Sequence, residues 1–160
     1  MLFLIPVVGV VTASLLYLAP FASVIQAVRN DTIETLNPLP SVVSVFATAY
    51  WIQYALVIED PFLVASNAPG FIMNVASTIL LLPYLKHHDS LKLVQLVLNL
   101  GACSTIILWI VTIFGDIPTD TITLILGSAS VTIFVLLCIS PLATMRDVIQ
   151  KRDASSIYAP

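Results

Sequence analysis

Few side chains in this 160-residue chain can do chemistry, and those set within its long apolar stretches are uncharged. Asn67 carries a primary amide among apolar residues, and such a group must find a hydrogen-bond partner. Two partners fit: a neighbouring helix, or a hydroxylated solute in a water-filled path. Trp51 offers an indole that either stacks on the C–H face of a ring-shaped solute or marks a membrane interface. Tyr54 follows three residues later and shares its helical face, where it reads as an interfacial phenol. Asn74 lies about two turns beyond Asn67, on roughly the same face, and reads as a packing residue. Asn99 reads as a structural contact, Gln53 as a group satisfied by a neighbour, and Trp109 as an interface anchor.

The missing groups narrow the chemistry further. Serines occur in several apolar stretches, but no histidine stands beside them to activate one. Ion-coupled transporters commonly use an ionisable residue within the membrane; none lies inside these stretches, which favours uncoupled movement of a neutral solute. The same lack disfavours an intramembrane aspartyl or zinc protease. His87, His88 and Asp89 form a polar turn expected to be solvated, with no metal site. Cys103 and Cys138 lie in apolar runs with no disulfide or metal spacing and read as packing residues. No cofactor is implied.

The elements that position these groups follow from composition. The chain is 59% hydrophobic and 9% charged, against roughly 25% charged for a soluble domain, and its mean hydropathy is +1.03. That excludes a soluble enzyme, a nucleic-acid binder and a disordered linker. Five windows lack Asp, Glu, Lys and Arg: Met1–Val28, Thr35–Ile58, Pro61–Leu85, Leu93–Gly115 and Thr121–Met145. Each exceeds the ~20 residues that a membrane-crossing helix needs, and none shows the alternation of a barrel strand. The first window has no basic flank and too long an apolar run for a secretory signal, so it reads as helix 1. All six basic residues (Arg29, Lys86, Lys92, Arg146, Lys151 and Arg152) fall on one face of a five-helix arrangement. The positive-inside rule makes that face cytoplasmic, with the N-terminus outside and the C-terminus inside.

Two segments resemble each other. Leu18-Ala19-Pro20-Phe21-Ala22-Ser23 and Ile139-Ser140-Pro141-Leu142-Ala143-Thr144 each lie near a helix end, and each is followed some twenty residues later by another proline, Pro40 or Pro160. Helices 1 and 5 run in the same direction, which is the geometry of a parallel repeat. Leu18-Ala19-Pro20, the run Leu39-Pro40-Ser41-Val42-Val43 leading to Trp51-Ile52-Gln53-Tyr54, Asn67-Ala68-Pro69-Gly70 and Ser140-Pro141-Leu142-Ala143 together resemble the SWEET sugar transporters of the PQ-loop superfamily. The resemblance implies an all-α membrane protein with five transmembrane helices. Residues 1–88 would form a first three-helix bundle, 89–116 an inverting linker helix, and 117–160 the first helix of a second, parallel bundle. Two helices of the second copy are then expected to be missing.

The resemblance also assigns roles. Asn67 matches the substrate-binding asparagine, and Trp51 a binding-site residue that stacks on the sugar. Tyr54 matches a tyrosine of the outer gate, whose usual aspartate partner on a later helix this chain lacks. Ala55 stands where glycine is common. Pro20, Pro40, Pro141 and Pro160 match the prolines that hinge the inner gate, although prolines also simply begin or end helices, as expected of Pro61 and Pro118. The implied function is facilitated, uncoupled, bidirectional transport of mono- or disaccharides by alternating access. Self-association, or assembly with homologues, would complete the pathway. The alternative is a non-transporting accessory subunit. An amino-acid substrate is disfavoured, because Pro20-Phe21 replaces Pro-Gln and the spans carry no charge. The expected partners are a small neutral sugar and the lipid bilayer, without nucleic acid. The plasma membrane is expected over an internal one.

Overall fold

Asp60 and Pro61 show how local sequence sets the helix boundaries. The Asp60 carboxylate accepts hydrogen bonds from the Phe62 and Leu63 amides at 2.9 and 3.1 Å. Pro61 takes the first helical position, where a missing N–H costs nothing. Just before it, Glu59 adopts a left-handed backbone with φ 55°. The Asp60 amide donates to the Ala55 carbonyl at 2.9 Å and the Glu59 amide to the Leu56 carbonyl at 3.4 Å, a Schellman closure of the preceding helix. One helix thus ends and the next begins within three residues.

This computed structural model describes the backbone of residues 4–31, 37–87 and 91–151, and the side chains of 4–31, 37–84 and 91–138. The helices are α1 (Leu4–Asn30), α2 (Leu39–Val57), α3 (Pro61–Leu81), α4 (Leu91–Phe114) and α5 (Thr119–Lys151), with a 3₁₀ helix, Leu82–His87, between α3 and α4. No strand occurs among the described residues. All five α-helices include a segment long and apolar enough to cross a membrane, and the chain is an all-α membrane protein. The charge-free windows locate these helices but not their ends. In α2, Pro40 lies in the first turn after a buried Pro38, so it stands where a helix begins. The α5 helix runs Thr119–Lys151, and its Thr119–Cys138 segment is by itself long and apolar enough to cross a membrane.

The centre of the arrangement is α2, which packs against α3, α4 and α5, while α1 packs on α3. Small residues set two of these approaches. The Tyr17 ring of α1 lies directly over Gly70 of α3, and the Phe46 ring of α2 over Gly101 of α4. Val24 and Ala27 of α1 meet Leu81 of α3. Val42 of α2 meets Val94 of α4, with Phe46 and Leu98 around them. Polar bonds reinforce the α2–α4 seam: Tyr50 Oη to Ser104 Oγ at 2.5 Å and Gln53 Nε2 to Thr112 Oγ1 at 3.2 Å. The Gln53 Oε1 and Asn74 Nδ2 atoms are buried and make no hydrogen bond among the described residues. Gln53 is therefore only half satisfied, and the packing of Asn74 leaves its amide nitrogen unpaired. Asn99 departs from its expected structural contact: it is exposed on α4. Cys103 is exposed as well.

Candidate functional site

Four helices enclose a partly open cavity of about 370 Å³, near the small end of the ~300–1,000 Å³ typical of ligand sites. Tyr17 comes from α1, and Ser44, Thr48 and Trp51 from α2. Asn67 and Leu63 come from α3, while Phe134 and Leu137 of α5 form the facing wall. The helical period explains the α2 contribution, since positions 44, 48 and 51 recur at about one turn and line one face. Gly70 explains that of α1, because a side chain there would displace the Tyr17 ring.

Asn67 is 8% exposed. Its Nδ2 donates to the Leu63 carbonyl at 2.9 Å and to Ser66 Oγ at 3.2 Å. A carbonyl can only accept, so the amide orientation is fixed. Its Oδ1 makes no hydrogen bond among the described residues, which leaves an acceptor for whatever fills the cavity. Two residues further on, Pro69 lies inside α3 and withholds the N–H that the Ala65 carbonyl would otherwise receive. Thr48 Oγ1 donates back to the Ser44 carbonyl at 2.8 Å, so its lone pairs remain as acceptors. The Tyr17 hydroxyl, the Ser44 hydroxyl and the Trp51 indole N–H make no hydrogen bond among the described residues. The lining thus combines uncharged donors and acceptors with an aromatic wall. It suits a neutral, hydroxyl-bearing solute of ring size.

Tyr54 lies outside this cavity. Its ring meets Trp51 edge to face, with centroids 5.8 Å apart at 89°, and lines a second hollow of about 540 Å³ with Asp120, Thr123, Gly127 and Ser128 of α5. A β-carbon on Gly127 would come within 3.2 Å of Tyr54 Cε2, so the phenol is braced against bare helix backbone. The Trp51–Tyr54 pair therefore stands between the two spaces, one ring facing each. Asp120, which the sequence analysis did not single out, stands in the first turn of α5 and lines the same hollow as Tyr54. The one-face spacing of Asp120, Thr123 and Gly127 was the available signal. Tyr17, Ser44 and Thr48 were also missed, because hydroxyls within apolar spans read first as packing groups.

The structure thus brings Asn67 and Trp51 together and sets Tyr54 beside them. Among the described residues, no proline lines either space. Pro20 is exposed within an unbroken α1 and Pro40 is exposed at the start of α2. Position 141 lies within the α5 backbone with its side chain outside the described residues. Pro160, His88, Asp89 and the His87 side chain also lie outside the described residues. No group of three His, Cys, Asp or Glu side chains suited to a metal occurs among those described.

The chain is similar in sequence to known proteins. The family described as "Sugar efflux transporter for intercellular exchange" matches residues 3–89. The bidirectional sugar transporter SWEET16 of Oryza sativa subsp. japonica is 25% identical over 162 residues, covering 99% of this chain and 48% of the relative. SWEET13 of the same organism is 26% identical over 148 residues, covering 90% and 48%. SWEET16 of Arabidopsis thaliana is 24% identical over 154 residues, covering 94% and 66%. The chain spans about half the length of the rice relatives that it matches. With more than half of its residues matched by the family and a relative aligned along nearly all of its length, this chain belongs to the SWEET family, a family of sugar transporters.

Proposed function

We propose that this chain takes part in facilitated, uncoupled and bidirectional movement of a mono- or disaccharide across a membrane, by alternating access. One observation carries the proposal: Asn67 and Trp51, on different helices, line one uncharged cavity of about 370 Å³ with three further hydroxyl side chains. In this reading the Asn67 Oδ1 accepts a hydrogen bond from a sugar hydroxyl. The Trp51 indole packs against the C–H face of the ring. Tyr17, Ser44 and Thr48 exchange hydrogen bonds with the remaining hydroxyls. Among the described residues no Asp, Glu, Lys, Arg or His side chain lines the cavity, which supports movement without coupling to a proton or sodium gradient.

The Trp51–Tyr54 pair would close the cavity toward the second hollow, with Asp120 close to the gate. Closure on the other side would follow from bending at Pro20, Pro40, Pro141 and Pro160, since a missing N–H and a ring clash soften a helix locally. Residues 1–88 act as the first bundle, 89–116 as the linker and 117–160 as part of the second. The face bearing all six basic residues is cytoplasmic, placing the N-terminus outside in the plasma membrane.

The experiment is uptake of radiolabelled glucose and sucrose by liposomes holding the 160-residue chain. Saturable uptake that collapses any imposed sugar gradient, and that an added pH or sodium gradient leaves unchanged, supports the proposal. Uptake no faster than in empty liposomes, from protein shown to be folded, refutes it for this chain and leaves the accessory-subunit reading.

A further inference from the structure

One side of α4 carries polar groups that its own helix does not satisfy. Lys92, Gln95 and Asn99 are exposed and follow one another at steps of three and four residues, so they share one face. None of them makes a hydrogen bond or ion pair among the described residues. The face lies away from α2, which α4 meets through Val94, Gly101, Ser104 and Thr112. Exposed hydroxyls of the other spans avoid this problem: Thr12, Ser23, Ser128 and Thr132 each donate to a carbonyl of their own helix. An amide cannot be satisfied in that way alone, because it presents two donors and an acceptor.

Depth orders these groups. The 24 residues of α4 span about 36 Å at 1.5 Å per residue. Centred in a ~30 Å hydrocarbon layer, the helix sets Lys92 just outside the layer, Gln95 roughly 3 Å inside it and Asn99 roughly 9 Å inside. Helical side chains lean toward the helix start, which brings both amides nearer that surface. One turn deeper the same side continues as Ala102 and Cys103, exposed and uncharged. A cation, then N–H donors, then an apolar surface is the complement of a glycerophospholipid read from its phosphate downward. That lipid offers an anion, two ester carbonyls that only accept, and acyl chains.

Charge selects among the occupants. The stretch 86–92 carries Lys86 and Lys92 against Asp89 alone, so it attracts an anion. A second copy laid in parallel on the same face would bring two Lys92 side chains together, and like charges repel. We propose that this face of α4 binds an anionic glycerophospholipid of the leaflet in which α4 begins. The Lys92 ammonium holds the phosphate, the Gln95 and Asn99 amides donate to the ester carbonyls beneath it, and the acyl chains lie along Ala102 and Cys103. In the orientation proposed above this is the cytoplasmic leaflet, where anionic lipids concentrate. The inference needs only that α4 spans the membrane and is independent of the solute.

Fluorescence quenching tests it. The Cys138→Ser variant, labelled with bimane at Cys103, is placed in vesicles mixing phosphatidylglycerol and phosphatidylcholine, with brominated chains on one lipid and then on the other. Quenching at Cys103 shows about a fivefold preference for phosphatidylglycerol at low salt, the worth of one lysine at a membrane surface, and the preference shrinks as salt is raised. The control is Ile72→Cys in a chain lacking both native cysteines; it is exposed midway along α3, and its label shows no preference. Lys92→Arg keeps the preference at Cys103 and Lys92→Ala loses it. Unbrominated diester phosphatidylglycerol displaces the brominated lipid about twofold to tenfold better than its diether analogue, and replacing Gln95 and Asn99 together by leucine removes that difference. Four results overturn the proposal: equal preference at both probes, a preference that survives Lys92→Ala, an ester–ether difference that survives loss of both amides, or a Cys103 label shielded from all brominated lipid by a second copy or a partner helix. No sugar is present in these vesicles, so failure of the lipid site and failure of the transport reading remain distinguishable.

Discussion

Replacing Gly70 by alanine couples the packing of α1 on α3 to the shape of the cavity. A β-carbon at position 70 would lie 2.7 Å from Tyr17 Cδ2, against the 3.5–4.0 Å of an ordinary carbon contact. The ring must therefore move by roughly 1 Å, either with α1 away from α3 or by rotation within the cavity that it lines. Overpacking of this kind costs about 1–3 kcal/mol, which for a chain of this length corresponds to a fall of roughly 2–12 °C in melting temperature. Thermal unfolding in detergent measures it, as a double-mutant cycle. Gly70→Ala and Tyr17→Ala each destabilise alone, the second by removing a half-buried ring. Their combination should cost about 0.5–3 kcal/mol less than the sum, because alanine at 17 removes the clash. Strict additivity would refute the reasoning, as it would mean that the glycine is tolerated for some reason other than the ring above it. Sugar uptake by Gly70→Ala should also fall, and Gly70→Ala/Tyr17→Ala should bind sugar differently from Gly70→Ala rather than simply worse.

Further outcomes follow from other contacts. Gln53→Leu should be neutral or stabilising by up to about 2 kcal/mol, since it removes an unpaired buried oxygen along with one hydrogen bond, whereas Thr112→Val should cost about 1–3 kcal/mol by stranding the whole amide; melting temperatures check both. Asp60→Ala should lose about 0.5–2 kcal/mol of cap energy, and Glu59→Gly should gain up to about 1 kcal/mol by relieving a left-handed backbone. Gly127→Leu should force Tyr54 toward Trp51 and slow sugar exchange without abolishing equilibrium binding, which separate uptake and binding measurements would show; unchanged exchange would remove Tyr54 from the gate.

Charge clustering made the five helices legible, because a membrane excludes ionised side chains over the full length of a span. Asp60-Pro61 fixed one boundary through cap chemistry, and Pro61 begins α3 as its sequence context suggests. Hydropathy carries no information about which helices touch, so the central place of α2 was not legible; it depends on Gly101 beneath Phe46 and on Tyr50 reaching Ser104. Asn67 and Trp51 stood out as residues whose polarity or shape needs a reason, and the family resemblance paired them, but that they share one cavity is visible only once α2 and α3 pack. Tyr17 and Thr48 were hidden because an intrahelical hydroxyl and a core phenol look alike in sequence whether or not they border a cavity. Asn99 shows the converse: a polar residue in a span was read as satisfied, and the packing of α4 on α2 leaves it outward.

Uptake by Asn67→Ala beside the parent chain tests the central claim most directly. The Nδ2 bonds of Asn67 stay within α3, so alanine should leave the helix packing intact while removing the acceptor offered to the solute. Loss of one neutral hydrogen bond to a solute is worth about 0.5–1.5 kcal/mol, or roughly twofold to tenfold in apparent affinity. The account predicts saturable uptake by the parent and a half-saturation concentration raised by that factor in the folded variant. A variant that transports with unchanged half-saturation would contradict it.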